Sequence, residues 1–499
     1  MIVEDHTHHP PNRRSRNTAL RRSRLSAVAI AIALIAIASP TSHAADGGWE
    51  YQPYRIHTLL AIDAPGGLAE QLAAKLPEYL QNRVDSAIAP AWVFDVELAT
   101  GVDRAHVFDN LASTSNAKPQ NLPADRDKLL FLGIEWTPAG FTLTAREYDQ
   151  YVQRWGLPIR RDCRQLSSLP EQLFALAWQA VAPLAQIVVN ADDLKHVSLT
   201  PRGAALPKNV DMPPWFKTGD VFQPLIRRTS RSGAVVENGV APVAWTYIEA
   251  VDGKDKDGKS PAFRVLSGSR RPFAARKQGR TEQLAIGIRA DADNTTLRLR
   301  SRRLDTKPLV GYEVLSLNLS DESTTRLGVS DSAGELKITP GKSRIETVVI
   351  KHGGQLLAKL PVVPGSEPLV KVPLPDDDSR LAAEARLAAL REDLIDVVAR
   401  RNILIARAKQ KIDKKDYAAA QELLRSLDEL PGKPQFKLTL DTSQRLLRSD
   451  DPQMQRRIDQ LFNATQTLMT QFLDLRPITE LHDKLREAQS HGSAKTDKT

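Results

Sequence analysis

"YRIHTLLAID", residues 54–63, leads through Pro65 into "GGLAEQLAAKLPEYLQNRV", residues 66–84, and then into "AWVFDVEL", residues 91–98. The first and third stretches are strand-like. The second carries Leu68, Leu72, Leu76 and Leu80 at helical spacing. A third strand, "DKLLFLGIEW" (127–136), has an almost unbroken apolar centre, as expected of a strand buried on both faces. "GFTLTAREYDQYVQRWG" (140–156) alternates like a hairpin strand. "SLPEQLFALAWQAVAPLAQIV" (168–188) opens with Ser168 and Pro170 ahead of Glu171, which is a helix start. Residues 45–200 are therefore expected to form a mixed-sheet α/β domain.

Upstream of this domain the chain reads as a leader. Arg13, Arg14, Arg16, Arg21, Arg22 and Arg24 precede the uncharged run "LSAVAIAIALIAIAS" (25–39), Pro40 breaks it, and Ser42 and Ala44 occupy the small-residue positions of a cleavage site. The run is shorter than the roughly 20 residues a membrane-crossing helix needs. Residues 1–44 are thus expected to be a signal peptide, with the mature chain starting at Ala45; an uncleaved anchor is the alternative. Arg21-Arg22 hints at twin-arginine export, but Arg24 stands where an apolar residue is usual, so both export routes stay open. The single cysteine, Cys163, lies far from the cleavage site and excludes an intrachain disulfide, so stability has to come from buried core. No second segment approaches transmembrane length.

Downstream, residues 201–305 change character. A proline-punctuated linker, "LPKNVDMPPW" (206–215), is followed by short strands: "DVFQPLIRR", "APVAWTYIEAV", "AFRVLSG" and "LAIGIRA". This spacing predicts a small β-barrel of SH3-like type. From Trp215 to Arg303 there are 18 Lys/Arg against 9 Asp/Glu, so this region alone carries most of the positive charge of a chain whose formal net charge is +9.

Residues 306–375 hold "GVSDSAGELKI" with Ser330, Asp331 and Gly334, then Pro340-Gly341, then the alternating strand "IETVVIKHGG". Asp331 can hydrogen-bond its own turn, and Gly334 can supply a positive φ there. This stretch resembles the carboxypeptidase regulatory-like, prealbumin-type β-sandwich, with Leu336 where the family usually has an aromatic. The resemblance covers about 70 residues and implies an Ig/prealbumin-like fold and an accessory role. The N-terminal α/β domain resembles, more loosely, α/β domains of bacterial envelope assembly and transport proteins.

Residues 376–488 are helical in pattern. Asp376, Asp377 and Asp378 suit a positive helix N-terminus. Leu387, Leu390, Leu394, Val397, Leu404, Ala408 and Ile412 then recur at three- and four-residue steps, interrupted by Arg401. "DYAAAQELLRSLDEL" resembles one helix of a tetratricopeptide-type hairpin. A second stripe, Met454, Ile458, Leu461, Thr465, Leu468 and Phe472, predicts that two long helices pack as a hairpin, with a coiled-coil homodimer as the alternative. Residues 489–499 read as a disordered tail. The expected fold class is therefore multidomain α+β: mixed α/β domain, small barrel, sandwich and helical hairpin.

Chemistry is harder to find. "VDGKDKDGKSP" (251–261) places Gly253, Gly258, Lys259 and Ser260 in P-loop register. A P-loop opens a helix, whereas "PAFRVLSG" follows here and reads as a strand, and Asp252, Asp255 and Asp257 would repel a triphosphate. The mature histidines (His57, His106, His196, His352, His482, His491) are scattered, with no H-E-x-x-H pair, so no metal and no cofactor is expected. Glu135, Glu147 and Asp149 lie near Trp136, Phe141, Tyr148 and Tyr151, as in carbohydrate-active sites, although carboxylates beside aromatics in alternating strands more often mark one wet face and one core face. The best partner surface is "GSRRPFAARKQGRTE", with Arg270, Arg271, Arg276, Lys277 and Arg280. It suits phosphate, sulfate or acidic polymers, and export points to envelope polymers or envelope proteins rather than nucleic acid. The leading expectation is a non-enzymatic periplasmic or secreted scaffold or adaptor. The alternatives are a cell-wall or polysaccharide hydrolase with its site in the α/β domain, and an anionic-polymer-binding module centred on the barrel.

Overall fold

The first layer of the molecule follows from the parity of three parallel strands. The computed structural model describes residues 48–113, 117–119, 123, 125–190, 193–253, 261–273, 280–289, 294–341 and 343–493. Its first elements are β1 (Tyr54–Asp63), α1 (Gly66–Ala87), β2 (Trp92–Leu98), α2 (Gly101–Ala112), β3 (Lys128–Thr137), β4 (Gly140–Asp149), β5 (Arg154–Trp155), β6 (Ile159–Cys163) and α3 (Leu169–Ala180). They form a mixed sheet in the order β2-β1-β3-β4-β5, with β6 also on β4. β1 is parallel to β2 and β3, and β4 runs antiparallel to β3. Ile56, Leu60, Ile62, Leu130, Leu132 and Ile134 face α1 and α3 in one core. Ala61, Leu129 and Phe131 face α2 in another. Burial on both faces is why the centre of β3 is continuously apolar.

The next elements are β7 (Leu184–Asn190), β8 (Asp193–Pro201), β9 (Val221–Thr229), β10 (Val235–Pro242), β11 (Thr246–Val251), β12 (Ala262–Ser267) and β13 (Arg280–Ile288). β9-β11-β12-β8-β7-β13 close into a six-stranded barrel, since β13 also pairs along the whole of β9, and β10 extends β9 outside the ring. Phe216, Phe222 and Phe263 pack edge-to-face in its interior at centroid distances of 4.9–6.0 Å. The barrel thus starts at Leu184, inside the segment expected to belong to the α/β domain. β7 follows α3 after only a few residues, and Leu225, Leu284 and Ile286 of the barrel share the core of α1 and α3.

β14 (Thr295–Ser301), expected as part of the barrel region, joins the following unit instead. With β15 (Glu313–Leu317), β16 (Thr324–Val329), β17 (Glu335–Ile338), β18 (Glu346–His352), β19 (Gln355–Val362) and β20 (Leu369–Leu374) it builds two sheets, β17-β14-β20 and β16-β15-β18-β19, around one core. The turn before β17 forms as its residues require. Asp331 Oδ1 accepts from the N–H groups of Ala333 (2.9 Å) and Glu335 (2.8 Å). Gly334 has φ +67°, and a Cβ there would lie 2.6 Å from the Leu299 carbonyl oxygen.

The helical region differs from a two-helix hairpin. It contains α4 (Asp378–Asp413), α5 (Tyr417–Asp428), α6 (Lys433–Leu446), α7 (Pro452–Phe472) and α8 (Arg476–Ser493). The first part of α4 (Leu387, Leu390, Leu394) packs on α6 and α7, and the part around Ala408 packs on α5 and α8. The reason is length: a 36-residue helix spans about 54 Å and a 21-residue helix about 32 Å, so one partner cannot cover the stripe. The buried stripe of α7 is Met454, Ile458, Phe462, Thr465 and Met469, so Leu461 and Leu468 flank it, and Phe472 is exposed. Nor does Asp377 cap α4. Its carboxylate bonds Arg380 (2.6 and 2.7 Å) and His352 (3.2 Å), while its N–H donates to Tyr312 Oη (2.9 Å). Together with Lys307 bonded to Asp376 and Asp378, this clamps α4 to the two-sheet unit. Contacts join the described residues from Trp49 onward into one compact unit. No helix among the described residues is long and apolar enough to cross a membrane.

Candidate anion-binding cleft

The basic character of the barrel region concentrates where β12 meets β19. Gly268, just after β12, lies so close to β19 that a Cβ would sit 3.0 Å from Leu360 and 3.2 Å from the Lys359 carbonyl. Val221 and Leu266 of the barrel pack on Ile345 and Val363 of the two-sheet unit beside it. Along this seam runs a cleft of about 580 Å³. Its basic lining is Lys195 and His196 from β8, Arg264 from β12, Arg270 from the following loop and Lys359 from β19, with no carboxylate among the lining residues. Arg264 is tied to Glu249 at 2.7 Å, and His196 to Asp193 at 2.9 Å. Lys195, Arg270 and Lys359 are exposed, with no ion pair or side-chain hydrogen bond among the described residues. Three unneutralised cations around one concave surface make a local positive potential that an anion would relieve.

The residues expected to form the partner surface are only partly brought together. Arg270 lines the cleft and Arg271 is exposed next to it. Arg280 starts β13, paired with Thr229, and is not a lining residue. Arg276 and Lys277 lie outside the described residues, as do Gly258, Lys259 and Ser260 of the P-loop-like stretch. On either side of that stretch Val251 and Ala262 pair antiparallel, so it joins neighbouring strands and no helix follows it. Lys195, His196, Arg264 and Lys359 were not singled out from sequence. Each is an ordinary basic residue on a strand, and only the docking of barrel on sheet assembles them.

The carboxylates near aromatics take a different role. Lys128 Nζ, fully buried, lies 2.9 Å from Glu147 Oε2, 2.7 Å from Asp149 Oδ2 and 2.9 Å from the Ala182 carbonyl. The Ala182 N–H donates to Glu147 Oε1 at 2.9 Å. Burial alone pulls the lysine pKa down, but Asp149 and Glu147 outweigh it and raise it, so the ammonium stays charged. Burial, with the neighbouring Asp149 charge, pushes the Glu147 carboxyl up. This network fastens β3 and β4 to the chain leaving α3. Glu135 and Trp136 are exposed, and the acids do not form a shared wet face with them. Among the described residues no group of three or more His, Cys, Asp or Glu is placed to hold a metal ion.

A second crevice, about 570 Å³, opens on the α2 face and contains His57 and His106. His57 Nδ1 pairs with Asp95, its Nε2 lies 3.4 Å from Glu97 Oε2, and Asp95 also holds Arg126 at 3.0 Å.

No family model matches the chain, and no curated protein matches it. Among solved structures it is similar to one titled "Crystal structure of TolB from Acinetobacter baumannii", at 12% identity and a TM-score of 0.17, over 63% of this chain and 95% of that one. A TM-score that low does not establish a shared fold.

Proposed function

We propose that the chain is a non-enzymatic, envelope-associated scaffold or adaptor, periplasmic or secreted, that grips an anionic envelope polymer in the cleft between barrel and two-sheet unit. The observation that carries this reading is the cleft's lining of five basic side chains and no acid. The leader-like N-terminus supports export, and export supports an envelope polymer over nucleic acid. The barrel, read as SH3-like, and the two-sheet unit, read as carboxypeptidase regulatory-like, are both module types that position partners rather than transform them. Because α4 is already covered by α5–α8, a homodimer through its apolar stripe has little surface left to use. The test is binding of dextran sulfate to the full chain. The Arg270→Gln/Lys359→Gln double variant is expected to bind roughly tenfold more weakly and with a shallower salt dependence, since each lost cation removes a screened contact. Unchanged binding overturns the reading.

One observation favours a second reading, a polysaccharide hydrolase: His57 stands between two carboxylates in a roomy crevice of the α/β domain. A histidine so oriented can relay a proton. On that reading His57→Gln abolishes release of reducing ends from envelope polysaccharide at unchanged thermal stability, and a wild-type protein that releases none removes the hydrolase.

A further inference from the structure

Apart from the basic cleft, a cavity of about 260 Å³ lies between α3 and the start of the barrel. Its walls include Trp92 from β2, Trp178 from α3 and Trp215 from the linker ahead of β9. The Trp92 and Trp178 rings stack at 5.1 Å, and Trp178 tilts against Trp215 at 6.1 Å. Lys217, Asp220 and Arg289 supply its charge, with Gln179 beside them. Two features are unusual. The indole N–H groups of Trp92 and Trp215 are buried without a hydrogen-bond partner among the described residues, and so is Arg289 Nε. Arg289 as a whole has no hydrogen bond or ion pair among the described residues, and burial lowers its pKa. Buried donors are nearly always satisfied, and an unpaired guanidinium is costly to desolvate. The two indole N–H groups and Arg289 Nε are sealed from solvent, so it is the rest of the Arg289 guanidinium, on the wall of this cavity, that is a cation lacking an acceptor among the described residues.

We propose that this cavity is a binding site for a single carboxylate-bearing sugar ring. Trp92 is buried between Trp178 and Phe94, but the half-buried Trp178 and Trp215 offer a platform for the apolar C–H face of a pyranose. Asp220 Oδ2 accepts from the Lys217 N–H at 2.8 Å, and the carboxylate has lone pairs left for a hydroxyl donor, which a simple aromatic acid does not have. Lys217 and Arg289 outnumber Asp220 by one charge, which suits a monoanion, and the arginine fork matches a carboxylate. The volume lies just below the roughly 300–1,000 Å³ of drug-sized pockets and fits one ring rather than a chain. The site is independent of the cleft and of the scaffold reading.

The experiment is tryptophan-fluorescence and calorimetric titration of the full chain with D-glucuronate, D-glucose and benzoate. Glucuronate is expected to bind and change the emission, with glucose and benzoate each about tenfold or more weaker. Arg289→Gln should bring glucuronate down to the level of glucose, while Trp178→Leu should weaken both sugars. The Arg270→Gln/Lys359→Gln variant should bind glucuronate as wild type does, so failure of the cleft reading and failure of this one are told apart. Circular dichroism matching wild type shows that the variants are folded; if Arg289→Gln is not, the wild-type ranking of the three probes decides alone. Absence of glucuronate binding, benzoate binding as well as glucuronate, or a folded Arg289→Gln protein that keeps the preference overturns the proposal.

Discussion

Tyr54 shows how much one side chain does at the junction of the α/β layer and the barrel. Its hydroxyl accepts from the Leu184 N–H at 2.8 Å and donates to the Leu184 carbonyl at 3.1 Å, so it closes both backbone groups at the first residue of β7. Burial pushes its pKa up to about 12 from an ordinary 10.0, despite the opposing pull of Lys128. Tyr54→Phe removes the acceptor of the Leu184 N–H, while the Leu184 carbonyl keeps the Arg202 N–H at 3.0 Å, and the change is expected to cost about 1–3 kcal/mol in chemical denaturation. The raised pKa also makes a pH signature. The unfolded chain ionises this tyrosine near 10 while the folded one holds the proton to about 12. The contribution of the neutral phenol is complete below pH 10 and is lost as pH rises from there to 12, by about 2–3 kcal/mol. The stability of Tyr54→Phe should fall less steeply over that interval than that of the wild type. A sequence reading sees Tyr54 only as a strand residue, because its partner is 130 positions away.

At the scale of the element, α4 is the informative case. Its length and buried stripe were legible, since i, i+3 and i+4 spacing maps directly onto one helix face. What covers the stripe was not, because α5, α6 and α8 are short and their apolar residues meet α4 at two separate places. Arg401, which breaks the stripe, is buried all the same and bonds the Asp474 carbonyl. Leu394 is 5% exposed in the cluster with Phe436, Ile458 and Phe462. Leu394→Ala is expected to cost about 2–5 kcal/mol within the helical region. Leu394→Asp should open α4–α8 to rapid hydrogen exchange while the strands up to β20 stay protected. Equal loss of protection in the barrel would mean that the helices and the β units fold as one.

At the scale of the whole molecule, the boundaries matter most. The expected cut near residue 200 separates β7 and β8 from the other four barrel strands. Fragments 45–200 and 201–305 are therefore expected to stay unfolded by nuclear magnetic resonance, whereas 45–289 folds, because it keeps the closed ring and the core that Leu225, Leu284 and Ile286 share with α1 and α3. Two well-dispersed spectra from the short fragments would refute this. Much was determined by the sequence itself: the strand–helix–strand opening, the Asp331–Gly334 turn, the long amphipathic helix and the basic excess of the barrel region. All of these rest on periodicity, turn chemistry or composition within a few neighbouring residues. Only the tertiary structure decided which strands close the barrel, that Glu147 and Asp149 clamp Lys128, and that Lys195, Arg264, Arg270 and Lys359 meet in one cleft. Each depends on contacts between segments far apart in the chain, where local pattern carries no information about which distant neighbour a side chain will meet.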